Sequence, residues 1–317
     1  MVGRRRFRAL LPASISVLGA LTLLSCTSLP RHPRPTDFEG VGREFSGELV
    51  EAHLEALWGL GERSPGSESD EIARAYLERE FRSSGAKPDS LDREGERQHL
   101  IADLPGRSSD VVLLVAAYPV LGSRGGVDDT GAAVLVELAR VLGSRKNPYT
   151  LRFALAETRP STVYSRDALL VEAGRDLARA LEAEGRAERI RAILVLDLSF
   201  HPNPVIARDL RSHPGFRALF WDRAAELGLG AMFPADADWA SPETLQLGFR
   251  ERGMDRIVAL VEVAPAVVGT RGPRLSASMR FSGREPTVRA LASLGQVMVD
   301  GLERLMERLQ KVDAFAR

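Results

Sequence analysis

The sequence predicts an α/β fold, and three observations carry that prediction. Four apolar runs, Val111–Ala116, Leu151–Ala156, Ile193–Leu198 and Ile257–Val263, have the length of strands buried on both faces. Segments with helical periodicity separate them, the pattern of a sheet wound with crossover helices. At 317 residues and 44% hydrophobic, the chain is long enough to bury one large core.

The first strand organises the rest. Val111 to Ala116 runs into Ala117-Tyr118-Pro119, then a glycine-rich loop that reaches Asp128-Asp129-Thr130-Gly131. Ala132, Val134, Leu135, Leu138, Ala139 and Leu142 then recur at helical spacing, with Gly143 as a stop. Strand, carboxylate-bearing loop and helix meet where open α/β sheets build their sites. Upstream, Leu49, Val50, His53, Leu54, Leu57 and Trp58 trace one helical face, which makes His53 a core or boundary histidine. Arg63-Ser64-Pro65-Gly66-Ser67 is a turn before a second helix that runs to Gly85, with Ser69 or Asp70 as its expected cap. Beyond the second strand come helices over 165–183 and 216–229, an irregular loop from Met232 to Pro242, and a closing helix over 286–309. In that loop Asp236, Asp238 and Trp239 are candidates to line a pocket, or plain surface positions.

Lys plus Arg and Asp plus Glu both total 43, so the chain is neutral and lacks the electrostatic drive of a nucleic-acid binder. Arg4, Arg5, Arg6 and Arg8 precede an apolar stretch from Leu10 to Leu24, the layout of a signal peptide over residues 1–25. Leu23-Leu24-Ser25-Cys26 reads as a lipoprotein box, and Cys26 is the single cysteine. The competing reading is an uncleaved anchor with an incidental cysteine, and Arg4-Arg5 also allows twin-arginine export. Residues 26–44, rich in proline, form the expected tether, and 45–317 the folded domain. Lipidation at Cys26 would place the protein in a bacterial cell envelope, on the periplasmic side. In a double-membraned bacterium, Thr27 after Cys26, in place of Asp, would favour the outer membrane.

Taken in order, several motifs resemble the zinc aminopeptidase and glutaminyl cyclase family. They are the Arg-x-Pro-Gly-Ser loop, Ile101-Ala102-Asp103-Leu104-Pro105-Gly106, the strand and glycine loop up to Asp129, Leu196-Asp197-Leu198, and Pro202-Asn203-Pro204. The resemblance spans residues 46 to 310 and implies a three-layer α/β/α sandwich with a mixed, mostly parallel central sheet, the zinc exopeptidase or phosphorylase/hydrolase-like architecture. It implies an exopeptidase or cyclase site with Asp129 and Asp197 at ligand or substrate-binding positions and Glu157 at the general base. Asp128 and His201 are further binding candidates, His201 as a partner for the buried Asp197.

The departures are concentrated on the metal ligands. Ala117 stands at the family's His, Pro119 at the next Asp and Thr158 at the second Glu, and no histidine follows His213. A catalytic zinc needs about three protein ligands, and a hydroxyl is a poor one. The expectation is therefore no zinc and no other cofactor, although two carboxylates could take calcium or magnesium with water. Glu157 has the alternative of pairing with Arg159 or Arg166, and Asp128 or Asp129 of capping the helix at Thr130. The implied protein is a catalytically degenerate relative that binds a peptide or protein partner in the former cleft. The alternative is an active exopeptidase or glutaminyl cyclase with a rebuilt site around Glu157.

Overall fold

A computed structural model describes residues 28–37, 44–93, 96–119, 129–159, 166–199, 203–235, 238–239, 244–263 and 284–315. The segment read as a signal peptide, Cys26, Asp128, His201 and Asp236 lie outside these residues.

Among the described residues eight strands form one sheet: β1 (Lys87–Arg93), β2 (Glu96–Leu104), β3 (Ser108–Pro119), β4 (Tyr149–Thr158), β5 (Ile190–Asp197), β6 (Val205–Asp209), β7 (Asp238–Trp239) and β8 (Ile257–Val263). Their order is β1-β2-β4-β3-β5-β8-β6-β7. The middle, β4-β3-β5-β8, is parallel, while β1-β2, β2-β4 and β6-β8 pair antiparallel. The four apolar runs are these four parallel strands, as expected for segments covered on both faces. β1, β2 and β6 carry polar residues, and only their hydrogen-bonded position makes them strands. Asp238 and Trp239 pair with Arg208 and Asp209 along the sheet margin.

Among the described residues seven helices cover the two faces: α1 (Gly47–Trp58), α2 (Glu68–Ser83), α3 (Thr130–Gly143), α4 (Arg166–Ala183), α5 (Pro214–Glu226), α6 (Gln246–Arg250) and α7 (Arg284–Phe315). One apolar core joins α1, α2, α3, α5 and α7 to the first face of the sheet. A second joins α4 and α6 to the other face. The result is the three-layer sandwich with a mixed, largely parallel sheet.

Local rules set the helix ends. Ser46 caps α1, its hydroxyl accepting from Leu49 N–H at 3.2 Å. Ser67 caps α2 by accepting from Asp70 N–H at 3.3 Å, so the cap lies two residues before the earliest one expected. Gly131 opens α3 against β3, where an added Cβ would stand 2.8 Å from that of Ala116. Only glycine lets this helix begin so close to the strand it follows.

Candidate functional site

The carboxyl ends of β3, β4 and β5 each present one chemistry-bearing side chain. On β3 it is Tyr118, paired in register with Glu157 of β4. On β5 it is Asp197, next after Leu196, which is in register with Ala116 of β3. Asp129 enters from the residue before α3. Asp129, Glu157 and Asp197 are all buried, at 3%, 2% and 4% exposure, so each carboxylate needs a partner.

Those partners are arginines. Arg63, in the turn between α1 and α2, donates from one guanidinium nitrogen to both oxygens of Asp129, at 2.6 and 2.7 Å. Asp129 therefore does not cap α3 with its side chain, contrary to that expectation, although its carbonyl accepts Ala133 N–H at 2.9 Å. Arg74 of α2 is ion-paired with Glu157, whose other oxygen accepts Arg159 Nε–H at 2.9 Å. Arg166, at the start of α4, is ion-paired with Asp197 and reaches its second oxygen at 3.4 Å.

Tyr118 and Asp70 tie this cluster together. The Tyr118 hydroxyl donates to Asp70 at 2.7 Å, while Arg63 and Arg74 lie over its ring at 5.2 and 5.3 Å, cations on a π face. Asp70 also accepts Gly66 N–H at 3.0 Å and faces Arg74 Nε at 3.5 Å. The Pro65-Gly66 turn and the Ser67 cap thus aim Arg63, Asp70 and Arg74 at the strand ends.

Burial pushes the Asp129 carboxyl up, with Arg63 opposing it. Burial likewise raises Glu157, opposed by Arg74 and Arg159. The Tyr118 phenol is driven well above its ordinary value by burial and remains a donor. Two grooves, about 550 Å³ beside Ile193 and Met254 and about 580 Å³ beside Ser108 and Tyr149, lie at the opposite, amino end of the parallel strands.

Solved structures share this architecture. A glutaminyl cyclase from an Acidobacteriales bacterium matches with a TM-score of 0.62 at 17% identity, over 88% of this chain and 99% of that one. The Porphyromonas gingivalis glutaminyl cyclase gives 0.64 at 18% identity, over 82% and 99%. A Zn-dependent exopeptidase from Parabacteroides distasonis gives 0.63 at 17%, over 81% and 97%. The chain has the glutaminyl cyclase and Zn-dependent exopeptidase fold. No protein-family model matches the sequence, and no curated protein matches it either.

The comparison corrects one expectation. Ligand counting predicted that zinc is absent, yet this fold is that of proteins described as Zn-dependent, so counting does not decide the zinc content of this chain. Among the described residues no group of three or more His, Cys, Asp or Glu could hold a metal. Each carboxylate at a matching position instead faces a guanidinium, whose charge opposes a second cation there.

The structure brings Asp129 and Glu157 together around Tyr118 through Arg63 and Arg74, and sets Asp197 with Arg166 on the neighbouring strand. Of the two pairings open to Glu157, Arg159 is the one made. Sequence reasoning missed Arg74, Asp70 and Tyr118, and assigned Arg63 and Arg166 no role at Asp129 or Asp197. One signal was available. Asp70 and Arg74 fall on the same stripe of α2 as the buried Leu77 and Phe81, an acid and a base four residues apart where apolar residues belong.

Proposed function

We propose that this protein is an exported envelope protein, anchored by lipid on Cys26, whose glutaminyl cyclase-like domain binds a peptide or protein partner without turning it over. The observation that carries this reading is the state of Glu157. A general base must offer a free oxygen to the proton it removes. Both oxygens of Glu157 are engaged by guanidinium groups, Arg74 on one and Arg159 on the other.

Binding is favoured over an inert scaffold by the cost of the arrangement. Buried ion pairs are often no more stabilising than hydrophobic residues of the same volume. Fixed charges of both signs at the strand ends suit the termini and side chains of a peptide, which also carries both. Lipid anchoring is supported by the basic and apolar segment ending at the single cysteine.

The test uses the purified full-length protein against peptides with an amino-terminal glutamine and against aminoacyl anilides. No turnover above buffer is expected. Turnover that disappears in Glu157→Gln would overturn the reading. It would establish instead an active cyclase or exopeptidase, a reading favoured by one observation: burial raises the Glu157 carboxyl, the direction that strengthens a base.

A further inference from the structure

Ser28 to Asp37, within the segment read as a tether, meet α2 through Pro30 and His32. A short 3-10 turn over Pro35–Asp37 closes on itself: Asp37 accepts Arg34 N–H at 2.9 Å and the Arg31 guanidinium at 3.1 Å. Ahead of the turn, Arg79 of α2 donates to the Pro30 carbonyl at 2.7 Å, and the His32 imidazole is paired with Glu80. The Glu80 side chain is 1% exposed, and its other oxygen accepts from Arg79 at 2.9 and 3.0 Å. Arg79 in turn lies 5.0 Å over the Tyr76 ring, whose hydroxyl is 2.7 Å from His53. A buried carboxylate of the domain thus takes one of its partners from this segment, which fixes the segment in place.

Where the segment begins matters. Cys26 lies two residues before Ser28, and two residues of extended chain reach about 7 Å. That is about the depth of one headgroup layer. Next to it stand Leu29, 40% exposed, and Arg31, whose side chain is 83% exposed, with Arg34 also exposed. Arg31 is paired with Asp37 and α2 exposes Glu68 and Glu71, so the pull toward a bilayer comes from the acyl anchor and the apolar Leu29 beside it, not from net positive charge.

We propose that Ser28–Asp37 is a strap, latched by His32–Glu80 and Arg79–Pro30, that holds the domain down on the phospholipid surface with α2 toward the bilayer. The strap works as a clamp and not as a spacer. This rests on the reading that Cys26 carries the lipid, and the experiment separates the two. Full-length protein is placed in vesicles of phosphatidylethanolamine and phosphatidylglycerol that carry a headgroup-attached quencher. Mass spectrometry of the amino-terminal peptide reports the lipid on Cys26. A fluorophore is attached through Arg82→Cys on α2 or Arg179→Cys on α4, which covers the opposite face of the sheet; the two side chains are 59% and 47% exposed.

The expected result is quenching several-fold stronger at position 82 than at 179. His32→Ala with Arg79→Ala should bring the two sites toward equality and speed trypsin cleavage after Arg31 several-fold. Glu80→Gln, nearly isosteric, should do the same should the double variant fold poorly. Equal quenching at 82 and 179 in protein shown to carry the lipid overturns the strap and leaves the anchor standing. An unmodified Cys26 overturns the anchor and this orientation with it.

Discussion

Asp129 and Glu157 show how far burial decides the worth of an ion pair. The Arg63 and Asp129 side chains are 2% and 4% exposed, so Arg63→Ala strands a carboxylate out of reach of water. We expect it to cost about 3–5 kcal/mol, read as a fall in the urea midpoint. Arg63→Ala combined with Asp129→Ala should recover part of that loss. Arg159 meets Glu157 with a third of its side chain in water, so Arg159→Ala should cost about 1 kcal/mol or less. His53 makes a pH prediction. Its imidazole is buried and hydrogen-bonded to Tyr76, and burial, reinforced by His32 and the nearby Arg140 and Arg79, lowers its pKa from 6.5 to about 3. The unfolded chain binds this proton below pH 6.5 while the folded chain does not, so His53 supports the fold above that pH. The support is lost as pH falls toward 3, at up to about 1.4 kcal/mol per pH unit. His53→Asn, measured by urea unfolding across that window, should flatten the dependence by that amount; an unchanged slope would place the titration elsewhere.

At the scale of elements, the parallel strands and the long helices were legible because each buries a face and so carries its period in the sequence. β3, β4, β5 and β8 appear as apolar runs, and α3 and α7 as stripes that the structure buries at those positions. β1, β2 and β6 were not legible, since pairing and not patterning makes them strands. The candidate site was half legible for a related reason. Its carboxylates lie at strand ends and at the start of α3, where a motif can be matched, but Arg63 and Arg74 arrive from the α1–α2 turn and α2, remote in sequence. Backbone approach was equally hidden. α6 crosses α4 so closely that a Cβ on Gly248 would come within 2.3 Å of the Arg175 nitrogen, and one on Gly174 within 2.2 Å of the Leu245 carbonyl oxygen. Both obstacles are backbone and have no rotamer to yield. Gly248→Ala should therefore cost about 1–3 kcal/mol in thermal or urea unfolding, although alanine is the better helix former.

Across the whole molecule, the sheet separates two apolar interiors, one under α1, α2, α3, α5 and α7 and the other under α4 and α6. The charge cluster is where both layers are fastened to the strand ends. Arg63, Asp70 and Arg74 reach in from the first layer and Arg166 from the second, while the sheet and the start of α3 supply the carboxylates. Breaking one fastening should loosen its own layer before the other, because local opening requires less free energy than global unfolding. In Arg63→Leu, amide exchange should quicken over Gly61–Ser67 and the first turns of α2 and α3, with α4 and α6 unchanged. In Arg166→Leu the acceleration should fall on the first turn of α4 and the end of β5. Hydrogen exchange followed by mass spectrometry resolves these segments. Equal acceleration of both layers by both variants would mean that the pairs act only through global stability, and that the cluster does not divide its hold between the two faces of the sheet.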